Sequence, residues 1–161
     1  MVYGRIIRKG EKYYTYLKKL FDSIDNMQIN YKWLISCYEC YPANRDIKKT
    51  LGNEYCILSG TELTELVNKE DFQWIWGTFS AFDPGTSDED ILKYKLPEND
   101  MYSGFWHNPL TLQHPLSKIE IVAFDSSYTL IFTKGSILPA KFEKVYPEAE
   151  DMEYVNNSLL Q

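Results

Sequence analysis

Three cysteines and two histidines are the residues of this sequence best suited to metal binding or catalysis. Cys37 and Cys40 form a C-x-x-C pair and Cys56 follows. With His107 or His114 they would supply the side chains of a Cys3His zinc site. If the C-x-x-C segment is a strand, however, its two cysteines point to opposite faces and cannot share one ion. The sequence therefore predicts no metal and no cofactor, and we interpret the cysteines as small core residues.

The two histidines are also candidates for a general base. They lie within an unusual stretch, residues 101–117 (MYSGFWHNPLTLQHPLS), which we call the excursion. A base needs a partner that it can deprotonate or that orients it, and no spacing in the sequence identifies one. No G-x-S-x-G nucleophile elbow is present either. The pattern favours histidines with local hydrogen bonds, and a small enzyme or small-molecule-binding domain that uses the excursion is the alternative.

Aromatic side chains give the clearest indication of a binding surface. They make up 16% of the chain, and Tyr and Trp both fill cores and anchor interfaces. Phe105 and Trp106 are predicted to be exposed anchors, whereas Trp74 and Trp76 are predicted to share one strand face and pack in the core. The predicted binding residues are Tyr102, Phe105, Trp106, His107, His114, Asp125 and Tyr128.

The charge of the chain bears on its partners. The net charge is −6, and residues 61–161 are strongly acidic, whereas residues 1–60 are mildly basic. An acidic surface disfavours nucleic acid and anionic lipid, and it favours a basic protein partner. No signal peptide or membrane-spanning run is visible, and an odd number of cysteines does not suggest a disulfide framework. These features predict a cytoplasmic protein and leave its oligomeric state open.

The elements that must position these residues centre on residues 118–134, KIEIVAFDSSYTLIFTK. Two runs of β-branched and aromatic residues flank an Asp-Ser-Ser turn, which predicts a β-hairpin. Because both faces of the hairpin are apolar, it should lie in the middle of a covered sheet. Strands are also predicted at 2–8, 31–38, 54–58 and 72–82, with a bulge or close approach at Gly77, and an edge strand around Tyr154. Helices are predicted at 11–24, at 59–69 with a Ser59–Glu62 capping box, and from about Pro139 to Tyr146.

These elements predict one α+β domain spanning residues 1–161. Its sheet should be single and mainly antiparallel, with about five or six strands and with two or three helices packed on one face.

The same segments resemble a known family. FQWIWGTFSAFDPG, a polar stretch, IEIVAFDSSYTLIFTKG and a short helix are together similar to a small bacterial family known only as domain-of-unknown-function family 2691. The opening GRIIRKGEKYYTYLKKLFDSID, a strand followed by an amphipathic helix, fits as well. The most specific residues of the resemblance run from Asp125 to Tyr128. The family implies no activity, cofactor or catalytic residue.

Taken together, these features favour a non-enzymatic protein-binding module. A specific version is an immunity-type inhibitor that neutralises a basic toxin through complementary charge. The excursion-based enzyme or ligand-binding domain is the second hypothesis, and a homo-oligomer joined through an edge strand is the third.

Overall fold

A seven-stranded antiparallel sheet runs through the computed structural model, which describes residues 1–159. The strands are β1 (Val2–Ile7), β2 (Lys32–Cys40), β3 (Tyr55–Ser59), β4 (Trp74–Phe82), β5 (Ile119–Phe124), β6 (Tyr128–Lys134) and β7 (Glu150–Asp151). Their order across the sheet is β3-β2-β4-β5-β6-β1-β7, and every neighbouring pair is antiparallel. The α+β class and the single antiparallel sheet are thus confirmed, with seven strands in place of five or six.

The β5–β6 hairpin lies at the centre of the sheet, as its two apolar faces predict. Asp125 and Ser126 both adopt positive φ, 49° and 56°, and the Ser127 N–H donates to the Phe124 carbonyl at 3.0 Å. Two consecutive left-handed residues form a turn whose twist matches that of the flanking strands.

Six α-helices within residues 1–159 cover both faces of the sheet, so the prediction of two or three helices on one face is wrong. On the first face pack α1 (Leu17–Ser23), α2 (Arg45–Thr50), α3 (Gly60–Lys69) and α5 (Ile137–Val145). On the second face pack α4 (Asp88–Leu92), the excursion and α6 (Met152–Leu159). Central strands that are apolar on both sides need cover on both sides, which accounts for the second layer.

Two predicted elements near the chain ends differ from the structure. The helix predicted at 11–24 begins only at Leu17, because bonds to the start of β4 hold the preceding residues in an irregular, non-helical conformation. The Trp74 N–H donates to the Thr15 carbonyl at 3.0 Å, and Thr15 has a φ of 60°. The edge strand predicted around Tyr154 lies instead at β7, and Tyr154 is an exposed residue of α6.

Irregular pairing between β2 and β4 reverses the orientation of one tryptophan. Cys37 and Tyr38 lie opposite Gly77 alone, which confirms an irregularity at this glycine, and a second register shift follows nearer the start of β4. As a result Trp74 packs in the first-face core, whereas Trp76 packs against Phe124 on the second face. The prediction that the two tryptophans share a face is wrong.

The predicted capping box at the start of α3 is confirmed. The Glu62 N–H donates to the Ser59 Oγ at 3.1 Å, and the Ser59 N–H donates to the Glu62 carboxylate at 2.7 Å. Gly60, the first residue of this helix, is buried against a 3-10 turn at Met27–Asn30.

Gly60→Ala is expected to destabilise the fold although alanine is the better helix former. A Cβ at position 60 would lie 2.3 Å from the Gln28 carbonyl oxygen and 2.6 Å from the Ile29 Cα, which are main-chain atoms. Overpacking of this kind costs about 1–3 kcal/mol, more than the gain in helix propensity of at most about 1 kcal/mol. Urea unfolding measures the difference.

Gly85→Ala is the matched control, since a Cβ there meets nothing within 4 Å. Its free energy of unfolding should stay within about 0.5 kcal/mol of wild type. Equal stability of the two variants would contradict the close packing of α3 against the 3-10 turn.

Candidate functional site

The buried carboxylate of Glu120 holds the excursion against the second face of the sheet. Glu120 is 0% exposed in the middle of β5. One of its oxygens accepts hydrogen bonds from the His114 N–H at 2.9 Å and the Ser117 hydroxyl at 3.0 Å, and the other accepts from the Gln113 N–H at 2.8 Å. Burial raises the pKa of Glu120, and these three donors oppose that shift. The sequence signal that we missed was one glutamate inside an apolar strand.

Two further polar side chains of the sheet hold the chain just before the excursion. The Ser36 hydroxyl donates to the Pro97 carbonyl at 2.7 Å, and the Thr78 hydroxyl donates to the Glu98 carbonyl at 3.1 Å. Ser36 and Thr78 are both fully buried. Their hydroxyls satisfy main-chain carbonyls that have no strand partner, so the connection from β4 to β5 is held against the sheet at residues 97 and 98.

His114 is a core residue and does not lie on a binding surface. It is 1% exposed, and its ring packs edge-on against Phe82 with 4.7 Å between centroids. Its Nδ1 accepts from the Leu116 N–H at 3.2 Å, so its Nε2 carries the proton and donates to the Ile91 carbonyl at 3.0 Å. Burial lowers the pKa of His114. Because both ring nitrogens bond to main chain, no nitrogen is left to act as a general base.

Ser117, His114 and Glu120 are the residue types of a catalytic triad, but they are not connected as one. The Ser117 hydroxyl lies 2.8 Å from the His114 carbonyl oxygen, and neither nitrogen of the imidazole ring bonds to it. The bonds of Glu120 go to the main-chain N–H of His114. A triad requires the base to bond to the nucleophile through its ring, so this cluster is structural.

His107 lies elsewhere, at the end of the excursion's 3-10 turn, Ser103–Trp106. It is exposed, and its Nδ1 lies 2.8 Å from the Ser103 carbonyl oxygen. The two histidines share no hydrogen-bond partner, so the structure does not bring them together into one site.

Most of the other predicted binding residues meet at one end of the second face. We call the group Trp76, Tyr102, Trp106, Phe124 and Tyr128 the aromatic corner; all five are partly exposed. Trp106 lies edge-on to Phe124 at 5.7 Å and to Tyr128 at 6.4 Å between centroids, and Phe124 lies 4.9 Å from Trp76. Trp76 and Phe124 were missed because each reads as part of an apolar strand.

Phe105 forms the floor of this corner and is not an exposed anchor, contrary to the prediction. It is 2% exposed and stacks on Phe132 with centroids 5.6 Å apart and planes 14° apart. Tyr102 packs edge-on against it at 4.8 Å. Two of the partly exposed rings, Tyr102 and Trp106, therefore pack on a buried ring beneath them.

Two exposed carboxylates flank the aromatic corner. Glu39 lies directly opposite Trp76 in the β2–β4 pairing, which places both side chains on the same face. Asp125 follows Phe124 at the hairpin turn. Within residues 1–159 neither carboxylate has a salt-bridge partner; Glu39 accepts only from the Tyr41 hydroxyl at 2.8 Å.

The three cysteines are free thiols in different environments, so the interpretation of all three as core residues fails for Cys37. Cys37 is exposed at the bulge, with a φ of 49°. Cys40 and Cys56 pack against the first-face core, and burial raises the pKa of each of these two thiols to about 12. In the part of the chain that the structure describes, no group of three or more His, Cys, Asp or Glu side chains could hold a metal ion.

A cavity on the first face lies where the predicted helix fails to form. It has a volume of about 260 Å³ and lies between residues 11–16, α1 and the start of β6. Inside it the hydroxyls of Thr15 and Thr129 are 2.6 Å apart, and Lys19 bonds to Glu11 at 2.5 Å and lies over the Tyr146 ring. The sequence analysis did not predict this cavity, because the hydrophobic periodicity of residues 11–24 indicates a continuous helix there.

Comparison with known proteins gives a family but no function. A family model described as "Protein of unknown function (DUF2691)" matches residues 5–97. The chain belongs to this family. The match spans β1 to just beyond α4 and ends before the excursion, so the aromatic corner lies mostly outside the matched part. No curated protein and no solved structure matches the chain. Among residues 1–159, moreover, no helix has both the length and the apolar character needed to cross a membrane.

Glu120→Ala is expected to release the excursion while the hairpin stays folded. The change removes the acceptor from the Gln113 and His114 N–H groups, and each unsatisfied buried donor costs about 1–3 kcal/mol. Hydrogen exchange at these two amides should therefore accelerate by roughly tenfold or more, with little change at the central amides of β6. Ser117→Ala, which removes one donor and leaves the acceptor in place, is the control and should change these rates much less.

Glu120 is also expected to contribute a pH-dependent stability. A raised pKa means that the folded protein binds this proton more readily than the unfolded chain. The contribution is therefore complete below the ordinary glutamate pKa of about 4.3, and it is lost as the pH rises through the raised folded value. Urea unfolding at several pH values should show this slope in wild type, and Glu120→Gln should lack it. An identical slope in both proteins would contradict a raised pKa.

Proposed function

We propose that this chain is a non-enzymatic protein-binding module that takes a basic protein partner at the aromatic corner. The observation that carries the proposal is the set of partly exposed aromatic rings, two of which pack on buried Phe105, flanked by Glu39 and Asp125. A surface that keeps five aromatic rings partly exposed has the composition of an interface centre, where Trp and Tyr dominate binding energy.

The chemistry of the corner favours arginine or lysine side chains on the partner. A guanidinium stacks on Trp or Tyr faces and bonds to carboxylates at the same time. Glu39 and Asp125 supply carboxylates whose charge no cation of residues 1–159 neutralises through a salt bridge. The corner is also preorganised, because its rings pack on one another, and binding therefore costs little side-chain entropy.

A specific version of this proposal is an immunity-type inhibitor that neutralises a basic toxin in the cytoplasm. The net charge of −6 supports it, since complementary charge accelerates association and excludes wrong partners. Three free cysteines agree with a reducing compartment.

The first-face cavity favours a second candidate function, the binding of a small molecule. Its volume of about 260 Å³ is close to the lower end of the range for ligand sites. Its lining combines paired hydroxyls, an ion pair and the Tyr146 ring. Thr15 at its edge holds the left-handed conformation, and strained backbone of this kind clusters at ligand sites. A metabolite that raises the thermal midpoint of wild type but not of Lys19→Ala would identify this function.

The proposal predicts that charge reversal at the corner abolishes capture of a basic protein. Wild type and the double variant Glu39→Lys/Asp125→Lys would be used as baits in lysate of the native host, at low and high salt, with mass spectrometry of the retained proteins. Wild type should retain one stoichiometric basic protein at low salt and release it at high salt, because the attraction is screened. The double variant should retain at least tenfold less.

Glu89→Lys is the matched control, since Glu89 is an exposed glutamate of α4 outside the corner. It should retain the same protein as wild type. Equal capture by all three baits, or no basic protein on the wild-type bait, would contradict the proposal.

A further inference from the structure

The strand β3 forms one edge of the sheet and lacks the features that usually protect an edge. Its sequence, Tyr-Cys-Ile-Leu-Ser, contains no lysine or proline, and its five residues pair with β2 without a register shift. Exposed edges are commonly blunted by charge, proline, bulges or very short strands. The opposite edge is protected in this way, because β7 has two residues. The two edges therefore differ in their ability to accept another strand.

The alternation of hydrogen bonding along β3 shows which of its main-chain groups point away from β2. In an antiparallel pair, opposite residues alternate between those that exchange main-chain hydrogen bonds and those that do not. Ser59 lies opposite Lys32, yet its N–H donates to the Glu62 carboxylate at 2.7 Å. Ser59 thus belongs to the set that points away from β2, and so do Ile57 and Tyr55.

The outward groups of Tyr55 and Ile57 form a short template for an added strand. Among residues 1–159 no side chain or main-chain group outside the sheet bonds to their N–H or C=O groups. Two residues of this set offer two donors and two acceptors in the spacing that an extended chain requires.

A groove lies on each side of this edge. On the first face, a groove with a volume of about 260 Å³ lies beside Leu58, between α2 and α3. On the second face, a groove of about 570 Å³ lies beside Tyr55 and Ile57 and is closed by Leu92 of α4. Side chains of an extended segment alternate between two faces, so a strand added here would place alternate side chains in the two grooves.

The charges of the two grooves define the kind of segment that fits. The ionisable side chains that line them are mostly carboxylates: Asp46, Glu62, Glu65, Glu54 and Asp88, with Lys69 as the single cation. Lys69 is bonded to Asp46 at 2.8 Å and Lys32 to Asp88 at 2.7 Å, which leaves Glu54, Glu62 and Glu65 without a salt-bridge partner within residues 1–159. A second copy of this chain would bring like charges together, whereas a segment rich in lysine or arginine would meet opposite charge on both sides.

We infer that the β3 edge binds an extended, basic segment of another protein as an added strand. Main-chain bonds to Tyr55 and Ile57 supply affinity, and basic side chains in the two acidic grooves supply specificity. This surface is distinct from the aromatic corner, so the inference does not depend on the function proposed for the corner.

The test uses a defined probe, a short end-blocked peptide in which lysine alternates with valine, titrated into the isotopically labelled full chain at low salt. We expect amide shifts centred on residues 54–59, slower hydrogen exchange at Tyr55 and Ile57, and weaker binding at high salt. The same peptide with glutamate in place of lysine should not bind. Absence of binding by the lysine peptide at millimolar concentration, or shifts centred elsewhere, would overturn the inference.

Two variants separate the main-chain and charge contributions. Ile57→Pro removes an outward N–H while leaving the hydrogen bonds between β2 and β3 intact, and it should reduce binding at least tenfold. Glu54→Lys/Glu65→Lys changes two exposed residues without salt-bridge partners, so it keeps the test informative if Ile57→Pro does not fold. It should weaken binding by a similar factor.

The corner variant Glu39→Lys/Asp125→Lys is the control and should bind the peptide as wild type does, which separates failure of this inference from failure of the proposed function. Unchanged binding by Glu54→Lys/Glu65→Lys would overturn the inference. A concentration-dependent dimer in sedimentation that Ile57→Pro dissociates would assign the edge to self-association and would also overturn it.

Discussion

The carboxylate of Glu120 fixes the layer that covers the second face of the sheet. It lies where an apolar side chain would be expected, and it satisfies two main-chain N–H groups and one hydroxyl of the excursion. Ser36 and Thr78 are also buried polar side chains of this otherwise apolar face, and their hydroxyls bond to the main chain just before the excursion. The Asn99 side chain adds a further directional contact, because it donates to the Cys37 carbonyl of β2 at 2.6 Å. The aromatic end of the excursion is held separately, by the Asn156 side chain of α6, which donates to the Phe105 carbonyl at 3.0 Å.

Features set by neighbouring residues were predictable from the sequence. The Ser59–Glu62 capping box and the central hairpin were found because their signals lie within a few residues. The irregular conformation of residues 11–16 was not predicted, since it results from bonds to Gln73 and Trp74, far along the chain. Likewise the opposite orientations of Trp74 and Trp76 arise from pairing with β2, which periodicity within β4 cannot reveal.

The candidate site was also predicted only in part, because some of its contacts join residues that are far apart in the sequence. Aromatic residues in the excursion and at the hairpin turn were grouped correctly, and the structure brings Tyr102, Trp106 and Tyr128 into one corner. Burial was harder to predict, because Phe105 and its neighbour Trp106 have similar side chains and different depths. His114 was grouped with this surface only because it lies nearby in the sequence, whereas in the fold it packs against Phe82.

The connection between β4 and β5 has a consequence for how the fold can vary. These strands are adjacent and antiparallel, so a turn of a few residues would join them. The chain instead leaves the sheet after Phe82 and returns at Lys118, whose N–H bonds to the Ala81 carbonyl at 2.8 Å. This bond continues the pairing of β4 with β5 up to the start of the connection. The register of the two strands is therefore independent of the residues within the connection. Loop-closure entropy grows only slowly with length, so the same sheet can tolerate outer layers of different length and sequence, provided that each still covers the apolar second face.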